Sequence, residues 1–422
     1  MALYAFDGTW NEDEADALDD TNVVKFHNAY NERKEYIKGV GTRFGAVGRL
    51  LGGVFGAGGK SRIEEMYDLL VENWQAHGDQ TIDIIGFSRG AALALHFANV
   101  IDKAGIVAGG EVVARPQIRF LGLWDVVASF GIPINIGIRF QELNLGFDLQ
   151  PPGNVACCYH AMALHERRQT FAVTRLDKGD LKPNVEEIWF RGVHSDVGGG
   201  NKNPRLNRIA LAWMLSKARD HGLPIDAASV PDIGPDDHKA PIGENFDPIT
   251  NPKRRTLPSD RFHETARGRR LAVGEREDFV VDAKELYSWS GIRMEAGAHY
   301  AFVIPEGQIW EDGGMECGPA GWQTEELNWL KEAVVENFEG RRRCPKANWF
   351  ELIGAAGNDE DELFRIGAGG EEATYLALDD DELFAFANDL RSFYGNNEGS
   401  MKVTVIRMPG AGARQLKSCA EA

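Results

Sequence analysis

Cysteine is scarce in this chain, and the few present form no pattern. Five cysteines occur in 422 residues. Cys157 and Cys158 are adjacent, while Cys317, Cys344 and Cys419 are scattered. The absence of a CxxC pair or a Cys/His metal spacing excludes a zinc finger or ribbon and a disulfide-framework scaffold. The low, odd count predicts a chain made in a reducing compartment, although Cys317 and Cys344 could pair if the protein is exported. Basic residues are also short: 46 Lys and Arg stand against 64 Asp and Glu, a formal net charge of −18. That balance lacks the field a nucleic acid or an anionic membrane surface needs. Arg341-Arg342-Arg343 is the local exception and reads as a solvated linker face. No run of about 18 apolar residues exists, so no transmembrane helix is expected. The opening MALYAFDGTW has no basic segment followed by an apolar one, so no cleaved secretory signal is expected.

What is present is an ordinary globular composition, 43% hydrophobic and 26% charged, enough for a full core. The length predicts two or three domains. Up to about residue 225, short apolar strands alternate with helical patterns. Leu3–Phe6, Thr81–Ile85, Ile118–Trp124 and Glu187–Val193 read as strands. Ser61 opens a helix with Glu64 completing a capping box, preceded by a glycine-rich loop over 39–59. Ala91–Ile101 and Arg205–Arg219 are helical, with Gly222 as a C-terminal cap. This alternation predicts an α/β-hydrolase-like, mostly parallel sheet with helices on both faces. Residues 226–260 are rich in Pro, Asp and Asn, and from 278 onward the runs DFVV, HYAFVI, FELIG, ATYLAL and KVTVIRM predict a C-terminal β-sandwich. A helical stretch over 323–340 reads as an insertion. The expected division is a catalytic domain over 1–240, a linker over 241–277, a sandwich over 278–410 and a tail over 411–422.

Ligands of open parallel sheets sit at the carboxyl ends of the strands. Ser88, Asp125 and His194 each follow such an end, in the order Ser, Asp, His. Gly86-Phe87-Ser88-Arg89-Gly90 lies between an apolar strand and the helix-like AALALHFA. Its glycines leave room for a tight turn that lifts the serine oxygen toward substrate. A serine hydroxyl needs an adjacent imidazole to take its proton, and that imidazole needs a carboxylate to fix its tautomer. Asp125 is the first candidate for the acid. Asp196, two residues from His194, is the second, with bracing of its loop as the other role open to it. The oxyanion donors are expected to be the backbone N–H of Arg89 and one from Gly8 or Thr9, in a loop fixed by Asp7. His160 and His165 are weaker rivals of His194 and read as packing or helix residues. GGVFGAGGKS over 52–61 approaches a phosphate-binding loop, but Val54 stands where the first glycine is required. Residues 131–152 are apolar enough for a lid or acyl groove, or a core insertion. No catalytic cofactor is expected.

Asp7-Gly8-Thr9-Trp10-Asn11, Gly86–Ala91, Trp124-Asp125-Val126-Val127, His160–Arg168 and Val193–Gly200 together resemble the DUF2235 family. That family includes Tle1-type phospholipase effectors of type VI secretion. The resemblance implies a triad of Ser88, Asp125 and His194 and hydrolysis of a lipid or other acyl ester. It also implies synthesis in a bacterial cytoplasm without a signal peptide, signal-independent export, and a secretion-system or immunity partner. Val126 departs from the family's usual threonine. The tail, Asn388–Ser400 followed by KVTVIR, is similar to the end of LecA-type galactose-binding lectins. This second resemblance implies a calcium ion held by Asp389, Asn396, Asn397 and the carbonyl of Phe393, and a carbohydrate ligand. Three other readings are a catalytically inactive carbohydrate-binding protein, a carbohydrate esterase or other carboxylesterase, and a metal-dependent phosphoesterase using Asp7, Asp125, His194 and Asp196.

Overall fold

In the computed structural model, residues 1–8, 20–38, 53–128, 148–168, 171–176, 182–201, 204–243, 254–323, 336–358 and 360–420 are described. The chain divides into two compact units, Met1–Ala266 and Arg267–Ala422.

The first unit runs β1 (Ala2–Phe6), α1 (Asn22–Ala29), β2 (Arg33–Ile37), α2 (Gly53–His77), β3 (Thr81–Phe87), α3 (Arg89–Ala104), a hairpin of β4 (Ile106–Ala108) and β5 (Glu111–Ala114), β6 (Gln117–Trp124), β7 (Cys158–Ala163), β8 (Val185–Phe190), α4 (His194–Gly198), α5 (Pro204–Asp220) and β9 (Arg261–Phe262). Seven strands form one parallel sheet in the order β2-β1-β3-β6-β7-β8-β9. Successive side chains of a strand face opposite ways, and here both faces are covered. Tyr4, Phe6, Ile82 and Ile84 pack with Leu95 and Ala98 of α3 on one face. Leu3, Ala5, Ile85 and Phe87 pack with Phe26 of α1 and Met214 of α5 on the other. Burial on two faces explains why these strands read as continuous apolar runs. No described helix is long and apolar enough to cross a membrane.

Two local expectations fail here. α2 starts at Gly53, so Ser61 is inside the helix rather than at its cap, and the glycine loop ends sooner than the composition predicts. Glycine costs a helix only about 1 kcal/mol per residue, and extending an existing helix is far easier than starting one. β8 stops at Phe190, and Gly192 at φ 111° turns the chain into α4, whose first residue is His194.

The supposed linker is also divided. Residues 254–266 belong to the first unit, where β9 pairs with β8 and Asp260 accepts hydrogen bonds from Arg175, Trp189 and Leu257 N. Their composition is that of a loop, but the loop satisfies buried groups. Of the proposed lid, 131–147 lies outside the described residues. The rest, through Gln150, hydrogen-bonds Asn99 of α3.

The second unit has strands β10 (Arg276–Asp282), β11 (Ser288–Arg293), β12 (His299–Val303), β13 (Trp310–Asp312), β14 (Met315–Cys317), β15 (Leu352–Ala356), β16 (Leu363–Arg365), β17 (Gly369–Leu376), β18 (Glu382–Ala387), β19 (Asn397–Met408) and β20 (Arg414–Gln415). One sheet runs β14-β13-β19-β12-β17-β20, with β10 also on β19, and the other runs β11-β18-β15-β16. They share one core, in which Phe302 of the first sheet meets Phe364 of the second with ring centroids 5.4 Å apart. This is a sandwich. Of the insertion expected over 323–340, residues 324–335 lie outside the described residues, and a short 3₁₀ turn covers Glu336–Arg341.

Arg343 is not solvated. Its side chain is 1% exposed, lies 3.3 Å from the Phe386 ring centroid, and donates to Glu360, the Leu286 carbonyl and the Tyr394 hydroxyl. An aromatic cage, with acceptors for Nε and Nη1, makes a buried guanidinium tolerable. The expected tail is part of the sandwich, because β20 pairs with β17 and Cys419 is bonded to Cys344. Cys317, the sequence-expected partner of Cys344, is buried and takes no part in a disulfide.

The Cys344–Cys419 bond closes 75 residues of chain and is expected to stabilise the second unit by about 2–4 kcal/mol. Cys419→Ser, or a reductant, should therefore advance that unit's thermal transition by several degrees. An unmoved transition, or a non-reducing peptide map linking Cys317, would refute the pairing.

Candidate active site

Ser88 sits between the end of β3 and the start of α3 with φ 59° and ψ −126°, a conformation that costs a non-glycine residue about 1–3 kcal/mol. Its neighbours impose it. A Cβ on Gly86 would fall 2.7 Å from Ala91 Cα, and one on Gly90 would fall 2.4 Å from the carbonyl oxygens of Phe6 and Asp7. The helix can thus approach the sheet only where both residues are glycine. Ser88 N donates to the Trp124 carbonyl at 3.0 Å, and Val127 N donates to the Ser88 carbonyl at 3.2 Å. The turn is therefore tied to the end of β6.

Asp125 follows β6 with φ 39° and is 0% exposed. Its Oδ2 lies 2.6 Å from Nδ1 of His194. Because the carboxylate only accepts, Nδ1 carries the proton and Nε2 keeps its lone pair. The imidazole is held on two sides: the Phe87 ring stacks on it at 4.5 Å and the Phe171 ring meets it edge-on at 4.8 Å. Phe87 directly precedes Ser88, so the nucleophile candidate and the ring share one strand end. Asp125 and His194 are thus brought into contact, and Ser88 follows the residue whose ring stacks on that imidazole.

Asp196 is elsewhere. It accepts from Val193 N, Gly243 N and Asn201, which ties α4 to the backbone at Gly243. Burial raises its carboxyl above the ordinary value. Asp7 accepts from Gly8 N at 2.6 Å and from the Thr21 and Tyr36 hydroxyls, and burial raises it too. With Asp7 and Asp196 so engaged, the four residues of the phosphoesterase reading do not make a metal cluster, and none of three or more His, Cys, Asp or Glu occurs among the described residues.

Of the expected oxyanion donors, Arg89 opens α3. Gly8 lies beside Ser88, a Cβ on it falling 3.5 Å from Ser88 Cβ, but its N–H is given to Asp7. It therefore cannot also serve substrate in this arrangement. Thr9 lies outside the described residues. His160 Nε2 accepts from Val126 N, and its Nδ1 meets Glu187 at 2.9 Å. His165 accepts from Gly192 N. Both hold backbone.

Two partners were not foreseen. Glu166, 1% exposed, accepts from His194 N, Arg167 N, Arg168 N and the Arg168 guanidinium. It lies inside a quoted motif that gave no hint of its role. Arg254 grips Asp125 at 2.6 and 3.0 Å from a stretch read as linker. Burial alone would raise the Asp125 carboxyl, but Arg254 and His194 outweigh it and hold the group well below the usual carboxylate range. Asp125 is therefore ionised at every working pH.

In the second unit, Asp389 is 3% and Asn397 0% exposed. Asp389 Oδ2 and Asn397 Oδ1 have no hydrogen-bond partner among the described residues. The Phe393 carbonyl accepts from Asn396 N. Asp312 is close enough for Asp389 to add to the effect of burial, which together push its carboxyl up to about 6. Buried oxygens left without donors, beside a second carboxyl, form a donor set that fits a hard cation such as calcium. Asp312 was not anticipated; it comes from a different strand.

Residues 3–114 and 110–217 match the family model described as "T6SS, Phospholipase effector Tle1-like, catalytic domain". Among solved structures, an uncharacterized protein from Pseudomonas aeruginosa is 21% identical with a TM-score of 0.39, over 56% of this chain and 48% of that one. The Tle1 effector bound to the VgrG spike of the type 6 secretion system is 21% identical with a TM-score of 0.34, over 47% and 50%. The EclA N-terminal domain, a PllA-like lectin, is 20% identical with a TM-score of 0.23, over 31% and 95%. The chain thus spans about half the length of the first two. No curated protein matches it.

If Asp125 orients His194, Asp125→Asn should lower kcat by about 10³–10⁴-fold with little change in KM. Asp196→Asn should instead lower the melting temperature and spare most of kcat. The reverse pattern in steady-state kinetics and thermal melts would transfer the acid role to Asp196.

Proposed function

This chain belongs to the Tle1-like phospholipase effector family of type VI secretion, and on that premise we propose that it is a serine hydrolase of lipid acyl esters. The observation that carries the reading is the 2.6 Å pairing of His194 with Asp125, the residue after β6, whose end is hydrogen-bonded to the strained turn at Ser88. In this mechanism, Nε2 of His194 takes the hydroxyl proton as Ser88 Oγ attacks the acyl carbonyl. The oxyanion forms against the N–H of Arg89 at the start of α3, with the N–H of Thr9 as the second donor. Protonated His194 returns the proton to the departing alcohol, and an acyl-serine remains. Water enters and attacks the acyl carbon while giving a proton to His194; the bond from that carbon to Ser88 Oγ then breaks, His194 returns the proton to Oγ, and the fatty acid leaves. The chemistry needs no cofactor.

The sandwich is proposed to direct the enzyme to a glycan-bearing surface. Asp389, Asn396, Asn397 and the Phe393 carbonyl would hold a calcium ion, whose charge would shape a sugar-binding loop. Membership of an effector family supports synthesis in a bacterial cytoplasm, export without a cleaved signal, and a secretion-system component and an immunity protein as partners.

A fluorophosphonate probe should label the wild type and leave Ser88→Ala unlabelled. Hydrolysis should fall at least about 10⁴-fold in that variant. A substrate panel of phospholipids, p-nitrophenyl esters and acetylated sugars, run with and without calcium, should favour phospholipids. Failure of the wild type to label would point to a sugar-binding protein without catalysis. Preference for acetylated sugars would make it a carbohydrate esterase.

A further inference from the structure

The carboxylate of Asp125 is unusually well occupied. Oδ1 accepts from Ala163 N at 2.9 Å and from Arg254 Nη1 at 2.6 Å. Oδ2 accepts from His194 Nδ1 at 2.6 Å and from Arg254 Nη2 at 3.0 Å. Arg254 thus grips both oxygens with one planar fork, and its side chain is 7% exposed. The same two nitrogens also donate to the carbonyls of Ala163 and Phe171, at 2.7 and 2.5 Å. Ala163 supplies the backbone donor to the carboxylate, and Phe171 supplies the ring against the imidazole. One guanidinium therefore fixes the acid, its backbone support and one wall of the base. It lies beyond the 3–217 matched by the family model.

We propose that Arg254 is a positioning residue of the triad, which sets the plane of the Asp125 carboxylate and tempers the charge that this carboxylate presents to His194. The inference rests on the serine-hydrolase reading above. The physical argument has two parts. A bidentate fork fixes a carboxylate's orientation in a way a point charge cannot. Arg254 is also permanently charged, so it offsets part of the field that Asp125 would otherwise offer an imidazolium. His194 must be neutral to accept the serine proton, so removing that positive charge favours the wrong form. The other charged groups around His194 are Glu166, which accepts from its backbone N–H and pairs with Arg168, and Asp196 on the same short helix. Glu166 is held ionised against its burial mainly by Arg168, with a smaller contribution from Arg254, so its pairing with Arg168 stays in place when Arg254 is replaced.

The test measures fluorophosphonate labelling and ester hydrolysis across pH in the full chain, for wild type, Ser88→Ala, Arg254→Met, Arg254→Lys and Asp125→Asn with and without Arg254→Met. Thermal melts verify folding. Arg254→Met should move the acid limb of kcat/KM up by roughly 1–2 pH units and lower the plateau by about 10–100-fold. Arg254→Lys, which keeps the charge but not the fork, should hold the acid limb near that of the wild type while the plateau still falls. In the Asp125→Asn background, Arg254→Met should add little, because both act through one carboxylate. A folded Arg254→Met with the wild-type limb and plateau, or effects that simply multiply in the double variant, would overturn the inference. If Arg254→Met does not fold, an unchanged plateau in Arg254→Lys overturns it instead. A wild type that does not label removes the nucleophile and this inference together, whereas a labelled wild type with unaltered variants removes only the role of Arg254.

Discussion

A carboxylate sealed from water must have its charge answered by the protein around it, and at Asp125 that requirement organises the first unit. The group is 0% exposed. An uncompensated buried charge of this kind is costly enough that it would sooner take up a proton than stay ionised. The protein answers it from three directions: a backbone N–H at the end of β7, the imidazole at the start of α4, and a guanidinium from the segment leading toward the second unit. Those contacts draw the ends of β6, β7 and β8 together with residue 254. The strained turn at Ser88 is tied to the same place through Trp124 and Val127. Chemistry and architecture here share one electrostatic constraint.

How legible this was depended on whether a feature announces itself locally. The turn around Ser88 could be read because its two glycines and the flanking apolar strand and helix lie within about twenty residues of one another. Strands buried on both faces were legible as apolar runs. Asp125 and Asp196 could not be separated from sequence, since both lie near plausible loop ends and only the fold decides which reaches Nδ1. Arg254 and Arg343 were missed for a common reason. A charged residue in a polar stretch looks solvated until distant residues are seen to enclose it. For Arg343 these are Phe386, Tyr287 and Glu360. Cys419 was likewise assigned to a loose tail, because a parallel pairing with β17 and a bond to Cys344 are long-range facts with no local mark.

The second unit obeys a related logic with different means. Asn388, 0% exposed, bonds both the N–H and the carbonyl of Cys344. Arg343 meets the Tyr394 hydroxyl, which itself donates to the Ala387 carbonyl at 2.5 Å. The loop bearing Asp389, Asn396 and Asn397 is thereby anchored at both ends by buried polar contacts, while Phe393 at its tip is 51% exposed. A rigid base beneath an exposed aromatic tip suits a surface that meets something outside the molecule.

The backbone at residue 88 carries an implication for descent. Its left-handed geometry suits glycine and penalises serine, and the crowding around Gly86 and Gly90 leaves that geometry no easy escape. Stability alone would favour a glycine there, so on the serine-hydrolase proposal selection keeps the hydroxyl for what it does. A duplicated copy of this chain released from that selection would drift toward glycine at 88, becoming firmer as it became inert. The identity of this one residue in related genomes would therefore separate working lineages from relics.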